Sequence, residues 1–201
     1  MNEVKKIVVI GPESTGKSTL CELLAAHYNT IWCPEYAREY LLAHGVNYNY
    51  DDLLTIAEGQ VALEEQYLSI KVKSQKSKVK REDNSSPAKS AICNLQSAIL
   101  IDTDMYVMKV WCEYVYHKCH LYILQQIQER KYDLYLLCST DLPWVPDVLR
   151  EYPDEASRIE LYGIYKNLLL NQSTPFVEIS GSYDERLKKA VMAVDALLAR
   201  G

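Results

Sequence analysis

Lys17 and Ser18 close the stretch Gly11-Pro12-Glu13-Ser14-Thr15-Gly16-Lys17-Ser18, which satisfies G-x-x-x-x-G-K-[ST] at each fixed position. The apolar run KKIVVI precedes it, and Lys17 to Tyr28 reads as a helix, the context that such a loop requires. Gly11 and Gly16 let the backbone wrap tightly enough for successive N–H groups to point at one phosphate. The helix start near Lys17 adds the positive end of its dipole. The pattern assigns Lys17 to the β- and γ-phosphates of a nucleotide and the Ser18 hydroxyl to Mg2+.

The run AILIDTD supplies the second half of such a site. An apolar strand delivers Asp102 and Asp104 at its C-terminal end, where ligands gather in open α/β sheets. Residues two apart on an extended chain point the same way. One of the pair is therefore expected to hold Mg2+, directly or through water, and the other to touch an acceptor; Asp102 is taken for the metal and Asp104 for the acceptor.

Missing parts narrow the chemistry. No N-K-x-D occurs, which argues against guanine recognition, and no Glu follows Asp102 directly, as it does in many motor ATPases. A small domain with this loop and without those parts is, by analogy, most often a kinase for a small molecule. Such an enzyme needs an acid for the acceptor hydroxyl. In PEYARE, Glu35 is the first candidate for base or hydroxyl clamp, with Arg38 and Glu39 on the same face if the turn is helical. Arg150 and Arg158 flank Pro153 beyond the fourth strand, which suits a lid over about 141–160 that closes positive charge onto phosphate. Gly59 within a helical stretch suits the close approach of a ligand or neighbouring backbone, making Gln60 and Glu64 pocket candidates. Trp111, Tyr114 and Trp144 are candidates for an aromatic wall. The spacing in CEYVYHKCH does not match usual zinc ligands and reads as packing at a helix junction.

Buried strands are expected at KKIVVIG, TIWCPE, SAILIDTD, YDLYLLC and PFVEIS, separated by helical segments. Asp51 and Asp52 stand where a helix cap belongs, and apolar spacing continues from there to about Ile70. Near-continuous apolar strands in βαβ alternation predict an α/β fold of the P-loop NTPase type. Five parallel strands with helices on both faces are expected from that alternation, and the order 2-3-1-4-5 is taken with the fold type, since alternation alone does not set it. The 201 residues suit a single kinase domain. The Lys- and Ser-rich segment 71–90, extended to 94 for the insertion as a whole, reads as a flexible solvated loop or frayed helix end.

A net charge of −5 argues against a nucleic-acid partner. No apolar stretch is long enough to span a membrane, and the immediate entry into a strand excludes a signal peptide, so the expected compartment is the cytoplasm. Six cysteines without scaffold spacing are expected to be reduced there. Oligomeric state is not legible. The 16 Tyr against one Phe suit, in part, a wet aromatic pocket.

Taken together, GPESTGKSTL, PEYARE, GQVALEE, IDTDMYVMKVWCE, YDLYLLCSTDLPWVPDVLRE and STPFVEISGSYDERL resemble the NadR-type ribosylnicotinamide kinases, in family order over nearly the whole chain. That family phosphorylates nicotinamide riboside with ATP to give nicotinamide mononucleotide. The resemblance implies nucleotide roles for Gly11, Glu13, Ser14, Thr15, Gly16, Lys17, Ser18 and Thr19. It implies acceptor-side roles for Glu35, Arg38, Asp102 and Asp104, and lid roles for Arg150 and Arg158. Longer members carry a helix-turn-helix and an adenylyltransferase domain; the absence of H-x-G-H here predicts neither NAD synthesis from the mononucleotide nor operator binding. Asp147-Val148-Leu149-Arg150 departs from the family's D-G-L-R and implies a stiffer hinge, and the Lys-rich insertion is a second departure. The acceptor, a cation carrying a ribose, calls for carboxylates and an electron-rich ring. A kinase of another nucleoside or small metabolite has similar needs. A regulator that binds ATP without turnover is the alternative of another class.

Overall fold

The computed structural model describes residues 4–82 and 98–199. Five strands, β1 (Lys5–Ile10), β2 (Trp32–Cys33), β3 (Ala98–Asp102), β4 (Leu134–Cys138) and β5 (Phe176–Ile179), form one sheet in the order β2-β3-β1-β4-β5. Every pairing is parallel. Between them lie α1 (Lys17–His27), α2 (Tyr36–His44), α3 (Tyr50–Glu82), α4 (Met105–Tyr116), α5 (Leu121–Glu129), α6 (Glu155–Leu170) and α7 (Tyr183–Leu198). The expected architecture and strand order are those observed.

The apolar strands divide their side chains between two layers, as alternation requires. Ile7, Val9, Leu100, Leu134 and Leu136 pack with Leu20, Leu24, Ala190 and Val194 of α1 and α7. Val8, Ile10, Ile101, Tyr135 and Leu137 pack on the other face with Val110 of α4 and Leu161, Tyr165 and Leu169 of α6. A third cluster joins Leu53, Ile56, Met105, Met108 and Ile123 and holds α3, α4 and α5 together. The central position of β1 puts the loop that follows it in the middle of the sheet's C-terminal edge.

Helix α3 differs from expectation at both ends. Its cap is Asn49, whose Oδ1 accepts from the N–H groups of Asp51 and Asp52, while Asp52 accepts the Asn49 N–H in return. At the other end helix continues past Ile70 to Glu82, through residues assigned to a flexible insertion. Lys and Gln are good helix formers, so loss of apolar spacing removes a packed face without removing helix propensity. Lys71 is itself buried, and its ammonium donates to Thr30 Oγ1 at 2.5 Å. Residues 83–94 of that insertion lie outside the described residues.

The close approach at Gly59 is by a side chain, not by the ligand or neighbouring backbone expected there. A Cβ there would stand 2.0 Å from the Tyr36 ring, so α2 and α3 meet at a contact only glycine allows. Among the described residues no helix is long and apolar enough to cross a membrane.

Candidate active site

The loop between β1 and α1 is held by contacts from three directions. Gly11 has φ 144°, and a Cβ on it would lie 2.6 Å from the Cys138 carbonyl oxygen, so β4 presses directly on the loop's first residue. Within the loop, Thr15 Oγ1 donates to the Pro12 carbonyl at 2.7 Å and Lys17 Nζ to the same oxygen at 2.9 Å. Arg186 of α7, buried, donates to the carbonyls of Thr15 and Ser139, each at 3.0 Å. Sequence reading missed this brace; its signal was a basic residue in the last quoted motif, with no indication of its target. The first turn of α1 carries no side-chain cap, which leaves its N–H groups to a phosphate.

Ser18 and Asp102 meet across the β1–β3 edge, the Ser18 hydroxyl donating to Asp102 Oδ2 at 2.5 Å. The other oxygen, Oδ1, is buried and has no partner. Burial raises the Asp102 carboxyl well above the usual carboxylate range, and the charge of Glu35 adds to that; Lys17 and the Ser18 hydroxyl act in the opposite sense. A hydroxyl and a buried carboxylate with a vacant oxygen fit Mg2+, which takes few protein ligands and completes its shell with water and phosphate. Among the described residues no group of three or more His, Cys, Asp or Glu is placed to hold a metal ion, so a dedicated protein cage is not built here.

Asp104 does not join Asp102. Thr103 between them has φ 69°, an unusual conformation for a β-branched residue, and it ends the alternation that would have aligned the two carboxylates. Asp104 instead caps α4 through the Tyr106 N–H at 3.0 Å and accepts the Tyr135 hydroxyl at 2.7 Å. It is fully buried, and burial pushes its carboxyl up to about 7. Its place is beneath the site rather than on the acceptor wall.

A cavity of about 240 Å3 opens from the loop. Residues 11–19 line it, Gly11, Glu13, Ser14, Thr15, Gly16, Lys17, Ser18 and Thr19 among them. Glu35, Arg38, Trp111, Tyr114, Tyr152 and Tyr165 line it as well. Glu35 stands at the N-cap of α2 without a side-chain cap bond, which leaves its carboxylate for the cavity. Arg38 pairs with Asp147 at 3.0 Å, while Glu39 is exposed. Trp111 is fixed by its indole N–H, which donates to Tyr48 Oη at 2.7 Å, and the Tyr48 hydroxyl donates to Glu151 at 2.9 Å. Tyr48 and Glu151 were not among the expected residues: Tyr48 lies outside every quoted motif, and Glu151 closes one without any sign of its partner.

The expected lid takes a different form. Residues 139–154 run from β4 to α6 as a strap without helix or strand. Arg150 lines the cavity and donates to the Val145 carbonyl. Arg158 lies on α6, is 4% exposed, and donates to the carbonyls of Leu142 at 3.2 Å and of Ser14 and Thr140 at 3.4 Å. It braces loop and strap from below and is not a mobile lid residue. Trp144 lies beside Glu13, with Nε1 3.5 Å from the carboxylate, and is outside the cavity lining.

Gln60 and Glu64 are structural. Gln60 accepts the Tyr36 N–H at 2.7 Å and donates to the Pro34 carbonyl, fixing the turn that carries Glu35. Glu64 is buried with Arg130 at 3.0 Å and Tyr132 at 2.9 Å. In CEYVYHKCH, α4 ends at Tyr116 and His117 turns left-handed, the helix junction that the spacing suggested.

The family model described as an AAA domain, AAA_28, matches residues 6–186. The Trifunctional NAD biosynthesis/regulator protein NadR of Escherichia coli (strain K12) is 28% identical over 200 residues. That match covers 97% of this chain and 43% of the relative, so the chain spans less than half of that protein's length. Two solved structures share the fold. A NadR protein in complex with NAD and AMP-PNP has TM-score 0.64 and 25% identity over 97% of this chain and 49% of its own. A NadR protein in complex with NR has TM-score 0.68 and 23% identity over 97% and 50%. With its glycine loop at the head of a parallel sheet and a family model spanning nearly all of the fold, the chain belongs to the AAA_28 family of AAA domains.

Proposed function

We propose that this chain is an ATP-dependent kinase that transfers the γ-phosphoryl group to the ribose hydroxyl of nicotinamide riboside, in the cytoplasm. The observation that carries the reading is one cavity lined both by the phosphate loop and by Glu35 with the aromatic side chains of Trp111, Tyr114 and Tyr152. Phosphoryl transfer asks the protein for positioning and charge stabilisation rather than covalent chemistry, and that cavity can place donor and acceptor in line. The motif resemblance, and a relative whose name places it in NAD biosynthesis, support the choice of acceptor.

In this reading the loop's N–H groups and the first turn of α1 bind the β- and γ-phosphates. Lys17 leaves the Pro12 carbonyl and neutralises γ-phosphate charge. Ser18 and Asp102 would hold Mg2+, which would supply neutralisation of phosphate charge. Glu35 orients the ribose hydroxyl and accepts its proton as the bond to phosphorus forms. Trp111, Tyr114 and Tyr152 offer electron-rich faces to a pyridinium cation. Arg150, from the strap, faces the transferred group.

The test is ADP release from ATP with Mg2+ across nicotinamide riboside, uridine, cytidine and thymidine. Nicotinamide riboside is expected to give the highest kcat/KM. A preference for another nucleoside reassigns the acceptor, and ATP binding without acceptor-dependent turnover points to a regulator.

A further inference from the structure

Glu13 stands in the middle of the phosphate loop, where a carboxylate aimed into the cradle would repel a triphosphate. It turns to the strap instead. Oε2 accepts the Glu151 N–H at 2.9 Å, and Oε1 accepts the Tyr152 N–H at 2.5 Å, across 138 and 139 residues of sequence. The next loop residue repeats the contact: Ser14 Oγ accepts the Val145 N–H at 2.9 Å. The strap has no helix or strand to satisfy its backbone, so such partners decide where it lies. Charge-assisted bonds to a carboxylate are the stronger kind.

The amides that Glu13 holds sit within the part of the strap that faces the acceptor. Leu149, Arg150, Glu151 and Tyr152 are consecutive, and all four line the cavity. The strap's other polar ties, Arg38 to Asp147 and Tyr48 to Glu151, are bonds at the protein surface and individually weak, and the Tyr152 ring packs edge-to-face on Tyr114 at 5.3 Å, a contact that leaves the backbone amides of Glu151 and Tyr152 to Glu13. We propose that Glu13 is a positioning residue for the acceptor. By holding the Glu151 and Tyr152 amides it places the Leu149–Tyr152 wall, so that one side chain of the nucleotide loop sets the geometry of acceptor recognition. The kinetic consequence rests on the kinase reading; the structural one does not.

The test compares the full chain with Glu13→Ala and Glu13→Gln. Without nucleotide, residue-resolved amide exchange at Glu151 and Tyr152 should accelerate at least about 10-fold in Glu13→Ala. Amides of β1 and β3 should stay as protected as in the parent, and Glu13→Gln should be intermediate, keeping one acceptor oxygen. With acceptor, KM for nicotinamide riboside should rise about 10- to 100-fold while the ATP dissociation constant stays within about 3-fold. Unchanged exchange at Glu151 and Tyr152 would overturn the latch. Equal losses in ATP affinity and acceptor KM would make Glu13 a nucleotide contact and overturn the positioning role. If the parent chain phosphorylates no acceptor, the kinase reading fails, and the exchange measurement still decides the latch.

Discussion

The Ser18 hydroxyl and the Asp102 carboxylate are in hydrogen-bond contact at 2.5 Å, although 84 residues separate them in sequence. The pair exists because β1 and β3 are neighbours with Val9 opposite Asp102, which brings the loop after one strand to the end of the other. If this pair holds Mg2+, Ser18→Ala should lower kcat by about 100-fold. The Mg2+ concentration for half-maximal rate should rise in the same variant. A metal titration of the rate decides it; an unchanged titration curve would take the metal away from Ser18.

Lys17 should be needed for transfer and not for folding. Its ammonium rests on the Pro12 carbonyl at 2.9 Å, a contact that contributes little to the core. Lys17→Ala should cut turnover at least about 100-fold, since losing one charge-stabilising donor commonly costs about 2.7–4 kcal/mol of barrier. Its thermal melt should match the parent. Near-normal turnover would sink the phosphate-loop assignment.

Glu35 and Glu39 are one helical turn apart with different surroundings: Glu35 lines the cavity and Glu39 is exposed. Glu35→Gln should lower kcat by about 10²- to 10⁴-fold with the ATP dissociation constant little changed. Glu39→Gln should leave kcat near the parent value. Equal effects at the two positions would remove Glu35 from the role of base.

Arg130 and Glu64 form a buried pair, 11% and 2% exposed at the side chain, that ties α3 to the end of α5. Arg130→Ala leaves the Glu64 carboxylate buried beside Tyr132 and should cost about 3–5 kcal/mol in denaturant unfolding. Replacing both residues with Leu should recover part of that loss, because most of the cost is the stranded charge. A double variant as unstable as the single one would contradict this account.

Gly59→Ala should shift the Tyr36 ring or separate α2 from α3, since the new Cβ would start 2.0 Å from it. A loss of about 1–3 kcal/mol in stability is expected from such overpacking. Because Tyr36 follows Glu35, kcat should fall as well. A variant with parent stability would mean that Tyr36 has an alternative rotamer with room to use it.

The strands and the phosphate loop were legible because each rests on local pattern, apolar runs for strands and fixed spacing for Gly11 to Ser18; the strand order followed from the fold type that the loop signals, not from any local run. Asp102 was legible as the polar end of such a run. Asp104 was not, because the left-handed turn at Thr103 leaves no trace in residue type. Glu64 looked like a pocket residue until Arg130, 66 positions away, proved to be its partner. The reach of α3 to Glu82 was left open between loop and helix end for a different reason: helix formers without an apolar stripe look like loop when periodicity is the guide. The strap's ties to Glu13, and Arg158 beneath it, depend on contacts between distant segments that no local window contains.

The central place of β1 also dictates when the nucleotide loop can take shape during synthesis. Lys5 pairs with Asp133 at 2.9 Å across 128 residues, and the oxygen that crowds Gly11 belongs to Cys138. Until β4 has left the ribosome, the first strand has only part of its sheet and the loop lacks one of its walls. At roughly 5–20 residues per second, that wait is on the order of ten seconds. For most of that interval the apolar segment Ile7–Ile10 lacks both of its flanking strands, and it lacks β4 throughout, so packing of α1 against β1 is the cover that the chain itself can supply first.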